Sequence, residues 1–170
     1  MKSILFFVAV FAALTALGQA DKSKRPSPPD SVTSTLKNGT VVSINYSQPA
    51  VKGRTIGKDL EPMDDKVWRT GANEATVFEV SKDVKIEGRK LPAGKYGLFT
   101  LVNGKDWTII FNKIWNQWGA FTYKDSTDAL RVNVKADKAK EFAERMKFNI
   151  DDGKVILLWG DIEVEFKVKD

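Results

Sequence analysis

Two short stretches of this chain carry side chains suited to gripping a polar molecule. In Trp68-Arg69-Thr70-Gly71-Ala72-Asn73-Glu74 a guanidinium, an amide and a carboxylate crowd beside a large aromatic. Arg69 offers a planar fork of donors that matches a carboxylate, a phosphate or sugar hydroxyls. Asn73 supplies a donor and an acceptor, Glu74 accepts or exchanges protons, and Gly71 lets backbone approach a ligand closely. Trp115, Gln117 and Trp118 would add indole faces and one amide. Arg69, Asn73, Glu74, Trp115, Gln117 and Trp118 are therefore the candidate ligand-binding residues. A shared site requires the two stretches to meet in space.

The same residues have a purely structural reading. Arg69 and Glu74 can form a buried ion pair, Trp68 can plug the core, and Asn73 can satisfy loop backbone groups. Trp115 and Trp118 can equally be core residues. A third reading is catalytic. Glu74 could act as a general acid or base, with Asp125, Asp128 or Asp161 as a second carboxylate in a hydrolase. Other chemistries are closed. The sequence has no His and no Cys, so Ser-His-Asp and Cys-His catalysis and His or Cys metal sites are excluded. No segment has the spacing of a calcium loop. No metal site is expected, no catalytic residue is assigned, and no cofactor is implied.

The frame that must position these residues reads as mainly β. Asn38-Gly39 and Asn103-Gly104, each between β-rich runs, predict hairpin turns. Val42, Ile44 and Tyr46 share one strand face. The run 106–112 is apolar on both faces, which predicts a central place in a sheet. Leu130, Val132 and Val134 alternate with polar residues, as do Ile162, Val164, Phe166 and Val168. Gly160-Asp161 predicts a turn before the last strand. Between them, Ala139, Phe142, Ala143 and Met146 recur at helical spacing, which predicts one short helix over Asp137 to Lys147. Short strands with frequent turns and a single helix in the C-terminal half predict an antiparallel β-sandwich.

The remainder bounds the setting. Met1 to Ala20 has the charged start, apolar run and small-residue end of a secretory signal peptide. The run is shorter than the roughly 20 residues of a spanning helix, so no transmembrane anchor is expected after cleavage. Residues 21–30 are polar and Pro-rich and read as a disordered tail. Residues 31–170 then form a single domain. The formal net charge is +5, with no basic stripe in the folded part, so nucleic acid is not an expected partner.

Three motifs carry a resemblance. Trp68-Arg69-Thr70-Gly71-Ala72-Asn73-Glu74-Ala75-Thr76, Leu91-Pro92-Ala93-Gly94-Lys95-Tyr96-Gly97-Leu98-Phe99-Thr100 and Gln117-Trp118-Gly119-Ala120, in that order, resemble the bacterial family known only as domain of unknown function 2911. The resemblance runs from about Pro28 to the end of the chain. It implies an exported single-domain protein, periplasmic or extracellular, and carries over no catalytic residues. The reading is an exported, non-catalytic module that binds a small polar molecule, a glycan or an envelope protein. The alternatives are the Glu74 hydrolase and an envelope module without a pocket.

Overall fold

The structure is a computed structural model that describes residues 21–169. The signal-peptide segment expected at 1–20 lies outside the described residues. Ten strands run in chain order: β1 Pro29–Thr35, β2 Val41–Ser47, β3 Val67–Trp68, β4 Thr76–Val80, β5 Val84–Ile86, β6 Arg89–Leu91, β7 Gly94–Asn103, β8 Asp106–Asn112, β9 Asp128–Asp151 and β10 Lys154–Lys169. They form one antiparallel sheet in the order β1-β2-β4-β7-β8-β9-β10-β5-β6, with β3 paired to β7.

The expected sandwich does not form. One open sheet bends over its own core instead. Rings on strands far apart in the sheet meet: Phe78 of β4 lies 6.2 Å from Phe166 of β10, and Phe111 of β8 lies 5.9 Å from the same ring. Tyr46 of β2 stacks edge-on against Phe148 of β9 at 5.0 Å. The reason is the length of β9 and β10. β9 pairs with β8 through Asp128–Lys135 and with β10 through Ala136–Asp151, and the end of β10 pairs with β5, so these two long strands carry one continuous sheet where a sandwich would divide into two layers.

The expected helix over 137–147 is also corrected, because this segment is part of β9. Leu158 pairs with Lys147 and Gly160 with Ala143, so two steps on β10 match four on β9. Ile162 then pairs with Lys138, two steps against five. These successive bulges insert unpaired residues into β9. Inward positions there recur every three or four residues instead of every two. Ala139, Ala143 and Met146 are buried, while Phe142 is 61% exposed. A bulged strand thus reproduced the period of a helix. Gly160, expected in a turn, sits at the bulge with φ of +61° inside β10. Among the described residues the helical pieces are two single 3-10 turns, Lys22–Lys24 and Asp125–Thr127.

Elsewhere the pattern holds. Val42, Ile44 and Tyr46 are buried, as are Val164, Phe166 and Val168. The β1–β2 hairpin turns at Asn38-Gly39, and the β7–β8 hairpin turns at Gly104-Lys105, one residue on, with Asn103 closing β7 opposite Asp106. β7 and β8 lie mid-sheet and bury both faces. Trp107, Ile109 and Phe111 join the main core. Phe99 and Ile110 point the other way and pack with Ala75, Val67, Leu101, Ala120 and Tyr123. That second face is covered by two loops, 69–75 and 113–127, and these carry the candidate residues.

Candidate functional site

Loop 69–75 leaves β3 and closes tightly on itself. Trp68 is 2% exposed, and its indole N–H donates to the Gly71 carbonyl at 3.0 Å. Trp68 is therefore a core residue. Thr70 has φ of +51° and Asn73 of +60°, a region where non-glycine residues are uncommon. Buried bonds hold the loop there. Thr76 Oγ1 donates to the Thr70 carbonyl at 2.7 Å, and Thr70 Oγ1 donates to Thr100 Oγ1 at 3.3 Å. Gly71 has no room for a side chain, since a Cβ would lie 2.9 Å from Thr76 Oγ1 and 3.2 Å from the Ser47 carbonyl.

Loop 113–127 meets it through backbone bonds. Ala75 N–H donates to Gln117 O at 2.9 Å, and Gly119 N–H donates to Asn73 O at 3.0 Å. Glu74 and Trp118 face each other as an antiparallel bridge. The two stretches singled out by composition are thus joined. A network absent from the sequence reading anchors the second loop. Asn112, fully buried at the end of β8, donates through Nδ2 to Asp128 Oδ1 at 2.7 Å and to the Lys124 carbonyl, and accepts from Ile114 N–H. Tyr123 Oη and Arg131 Nε both donate to Asp128 Oδ2 at 2.7 Å. Burial, followed by the facing Asp128 carboxylate, pushes the Tyr123 phenol up to about 12. The one sequence signal was a polar residue, Asn112, ending a strand that is otherwise apolar on both faces.

The candidate residues divide between two environments. Arg69 lines a cavity of about 190 Å³ with Arg54, Glu61, Trp68, Trp159 and Ser27. Its Nε is buried with no hydrogen-bond partner; among the described residues the other such side-chain atom is Thr40 Oγ1, in the β1–β2 turn. Burial lowers the Arg69 pKa, opposed by the charge of Glu61, yet a guanidinium stays protonated. The neighbours are already committed. Arg54 donates to the carbonyls of Val51 and Ala50, and Glu61 Oε2 accepts from Met63 N–H.

Glu74 belongs to the outer surface. Its carboxylate pairs with Arg25 at 2.8 Å and Lys22 at 3.0 Å, not with Arg69. Burial raises its pKa, but its own backbone N–H and the Lys22 and Arg25 side chains outweigh that and hold it at about 2. A carboxyl so held carries no proton at neutral pH and is unsuited to general-acid work. Asp128 is committed to its network, and Asp161 lines a different cavity. Asn73 Nδ2 donates to the Ser27 carbonyl at 2.9 Å. Trp118 is 55% exposed beneath the Arg25 guanidinium, and Trp115 is 39% exposed beside Lys95. Gln117 is spent within its own loop, donating to the Ile114 carbonyl and accepting from Thr122.

Of residues 21–30, assigned to a tail by composition, Lys22, Arg25 and Ser27 thus contact loop 69–75, and Pro29 and Asp30 open β1. A larger cavity, about 430 Å³, sits on the far flank of the 52–65 connection. Its Asp64 accepts from Gly104 N–H, and Lys105, Asp137, Lys138 and Asp161 are solvent-exposed. It holds no buried polar atom in want of a partner. Among the described residues no group of three or more His, Cys, Asp or Glu is placed to hold a metal ion.

Comparison with known proteins matches residues 27–168 to the family described as "Protein of unknown function (DUF2911)", and the chain belongs to that family. No curated protein and no solved structure matches it.

Proposed function

With membership of that family as the starting point, we propose that this protein is a non-catalytic binding module, exported to the periplasm or beyond. In this reading the Arg69 cavity takes a small polar ligand bearing an anionic or hydroxyl acceptor, such as a sugar acid or the end of a glycan. One observation carries the proposal: the Arg69 Nε is buried in a cavity and has no acceptor in the protein. A buried donor without a partner costs about 1–3 kcal/mol, more when charged, and a ligand oxygen would remove that cost. The cavity is smaller than the roughly 300–1,000 Å³ of drug-sized pockets, which favours a compact ligand or one terminal residue of a larger one. Trp68 and Trp159 give it apolar walls, as sugar and carboxylate sites commonly have.

The test is a thermal-shift and calorimetric panel of uronic acids, short hydroxy acids and neutral monosaccharides against the wild type and Arg69→Lys. Lysine keeps the charge and loses the fork. A ligand that raises the wild-type melting temperature should bind the variant about 10–100-fold more weakly. If no compound shifts the wild type while Arg69→Met melts higher than it, Arg69 is a structural residue and the proposal fails. Sequencing the N-terminus of the protein recovered from its native envelope fraction tests export. An intact Met1 in a cytoplasmic fraction would refute it.

A further inference from the structure

The surface on the other side of loop 69–75 is already recognising a ligand, and that ligand is part of the chain. Residues Lys22 to Ser27 are held by three chemically distinct contacts. Arg25 Nη1 lies 2.8 and 3.0 Å from the two oxygens of Glu74, which also accepts from Lys22 Nζ at 3.0 Å. The Arg25 guanidinium carbon stands 5.8 Å over the Trp118 ring. Asn73 Nδ2 reads the Ser27 carbonyl, and Arg145 Nη1 donates to the Pro26 carbonyl at 3.3 Å. A carboxylate for the cations, an aromatic face for the guanidinium and side-chain donors for the backbone make a peptide-recognition set.

We propose that Glu74, Trp118 and Asn73 form a docking site for a basic peptide that makes one 3-10 turn, with two cations spaced as in Lys22 and Arg25, and that Lys22–Ser27 occupies this site intramolecularly. The held segment contributes little packing. Lys22, Ser23 and Lys24 are exposed, and no residue of the 3-10 turn is buried. Glu74 remains 40% exposed and Trp118 55% exposed beneath it. Contacts of this kind exchange readily, since an exposed ion pair is worth only a factor of about two to five. The receptor side is built differently. Asn73 and Glu74 sit on a loop locked by buried threonines, and the Trp118 loop is anchored through Asn112 and Asp128. A rigid face with an exchangeable occupant is the arrangement expected of a site that a partner can enter. This site adjoins the Arg69 cavity, which Ser27 also lines, but grips the segment with other side chains.

The experiment uses the full chain carrying Lys22→Ala and Arg25→Ala, which leaves Glu74 and Trp118 in place and unoccupied by cations. A labelled peptide of sequence Asp-Lys-Ser-Lys-Arg-Pro-Ser is titrated at low ionic strength and followed by anisotropy. A control peptide has Ala for its first Lys and its Arg. The basic peptide should bind the double variant and be weakened by salt. It should bind the native chain at least about tenfold more weakly, because the tethered segment competes at millimolar effective concentration. Adding Glu74→Gln, or separately Trp118→Ala, to the double variant should weaken binding about two- to fivefold, while Arg69→Lys should leave it unchanged. Equal binding of the two peptides, no binding to the double variant, or binding that neither Glu74→Gln nor Trp118→Ala weakens would overturn the proposal. Loss of peptide binding in Arg69→Lys would overturn the separation of the two sites.

Discussion

Met146 and Phe142 distinguish a bulged strand from a helix by stability alone. A helix over 137–147 places both on one apolar face, so truncating either would cost core packing. In β9, Met146 is 0% exposed and Phe142 is 61% exposed. The Met146 methyl lies 3.7 Å from where a Cβ would stand on Gly71, so this side chain packs directly beneath the site loop. Met146→Ala removes a fully buried side chain and should cost about 2–5 kcal/mol. Phe142→Ala removes a mostly solvated ring and should cost no more than about 1 kcal/mol. For a chain of this size each kcal/mol moves Tm by about 2–4 °C, so the expected losses are about 4–20 °C and at most about 4 °C. Thermal and urea denaturation followed by tryptophan fluorescence would measure both. If Phe142→Ala is as destabilising as Met146→Ala, the bulged-strand account is refuted. Met146→Ala should also loosen loop 69–75 and raise amide exchange at Gly71 and Ala72.

Two titrations test the electrostatics. Glu74 has its pKa depressed from 4.5 to about 2, so the stability it contributes is present above about pH 4.5 and is lost as pH falls toward 2. Because the carboxylate is 40% exposed, screening holds that contribution to about 0.2–1 kcal/mol. Glu74→Gln should flatten the acid limb of the stability profile by that amount, and an unchanged limb would count against the Lys22 and Arg25 contacts. The three tyrosines form a second set. Burial, with Asp30 adding to it, pushes Tyr46 up to about 12, Tyr123 is likewise at about 12, and burial with Asp83 raises Tyr96. Raised pKa values stabilise the fold below the unfolded value of 10 and lose that contribution between 10 and about 12. Tyrosinate absorbance should therefore appear in the native protein only above the ordinary range, and in urea at about pH 10. Native ionisation at the ordinary value would refute the burial of the phenols.

Some of this protein was legible without a structure. Alternation in β2 and the end of β10 survives because a half-buried strand must alternate whichever strands flank it, and the run apolar on both faces marked β8 as a strand buried on both sides. The Asn-Gly turns were legible because their backbone needs the positive φ that glycine adopts at no steric cost. The crowding of Arg69, Asn73 and Glu74 beside Trp68 marked a real loop, and Trp118 does lie against it. The absence of His and Cys closed whole classes of chemistry at once.

Other features belonged to the tertiary structure alone. Residues 137–147 have helical composition and period, but continuous pairing with β10 imposes a strand, and bulges reconcile the two. Local propensity of a few tenths of a kcal/mol per residue cannot outweigh that pairing. The partner of Glu74 was equally hidden. Arg69 is near it in sequence, yet the loop with positive φ at Thr70 and Asn73 turns the two side chains into different surroundings. Arg69 goes to a cavity where its Nε meets no acceptor, and Glu74 goes to an outer face where Lys22 and Arg25 wait. Sequence determined which chemical groups this protein has and that they gather near one loop. Only the folded sheet decided which of them face each other, because contacts between residues distant along the chain depend on strand order and bulges that no local pattern encodes.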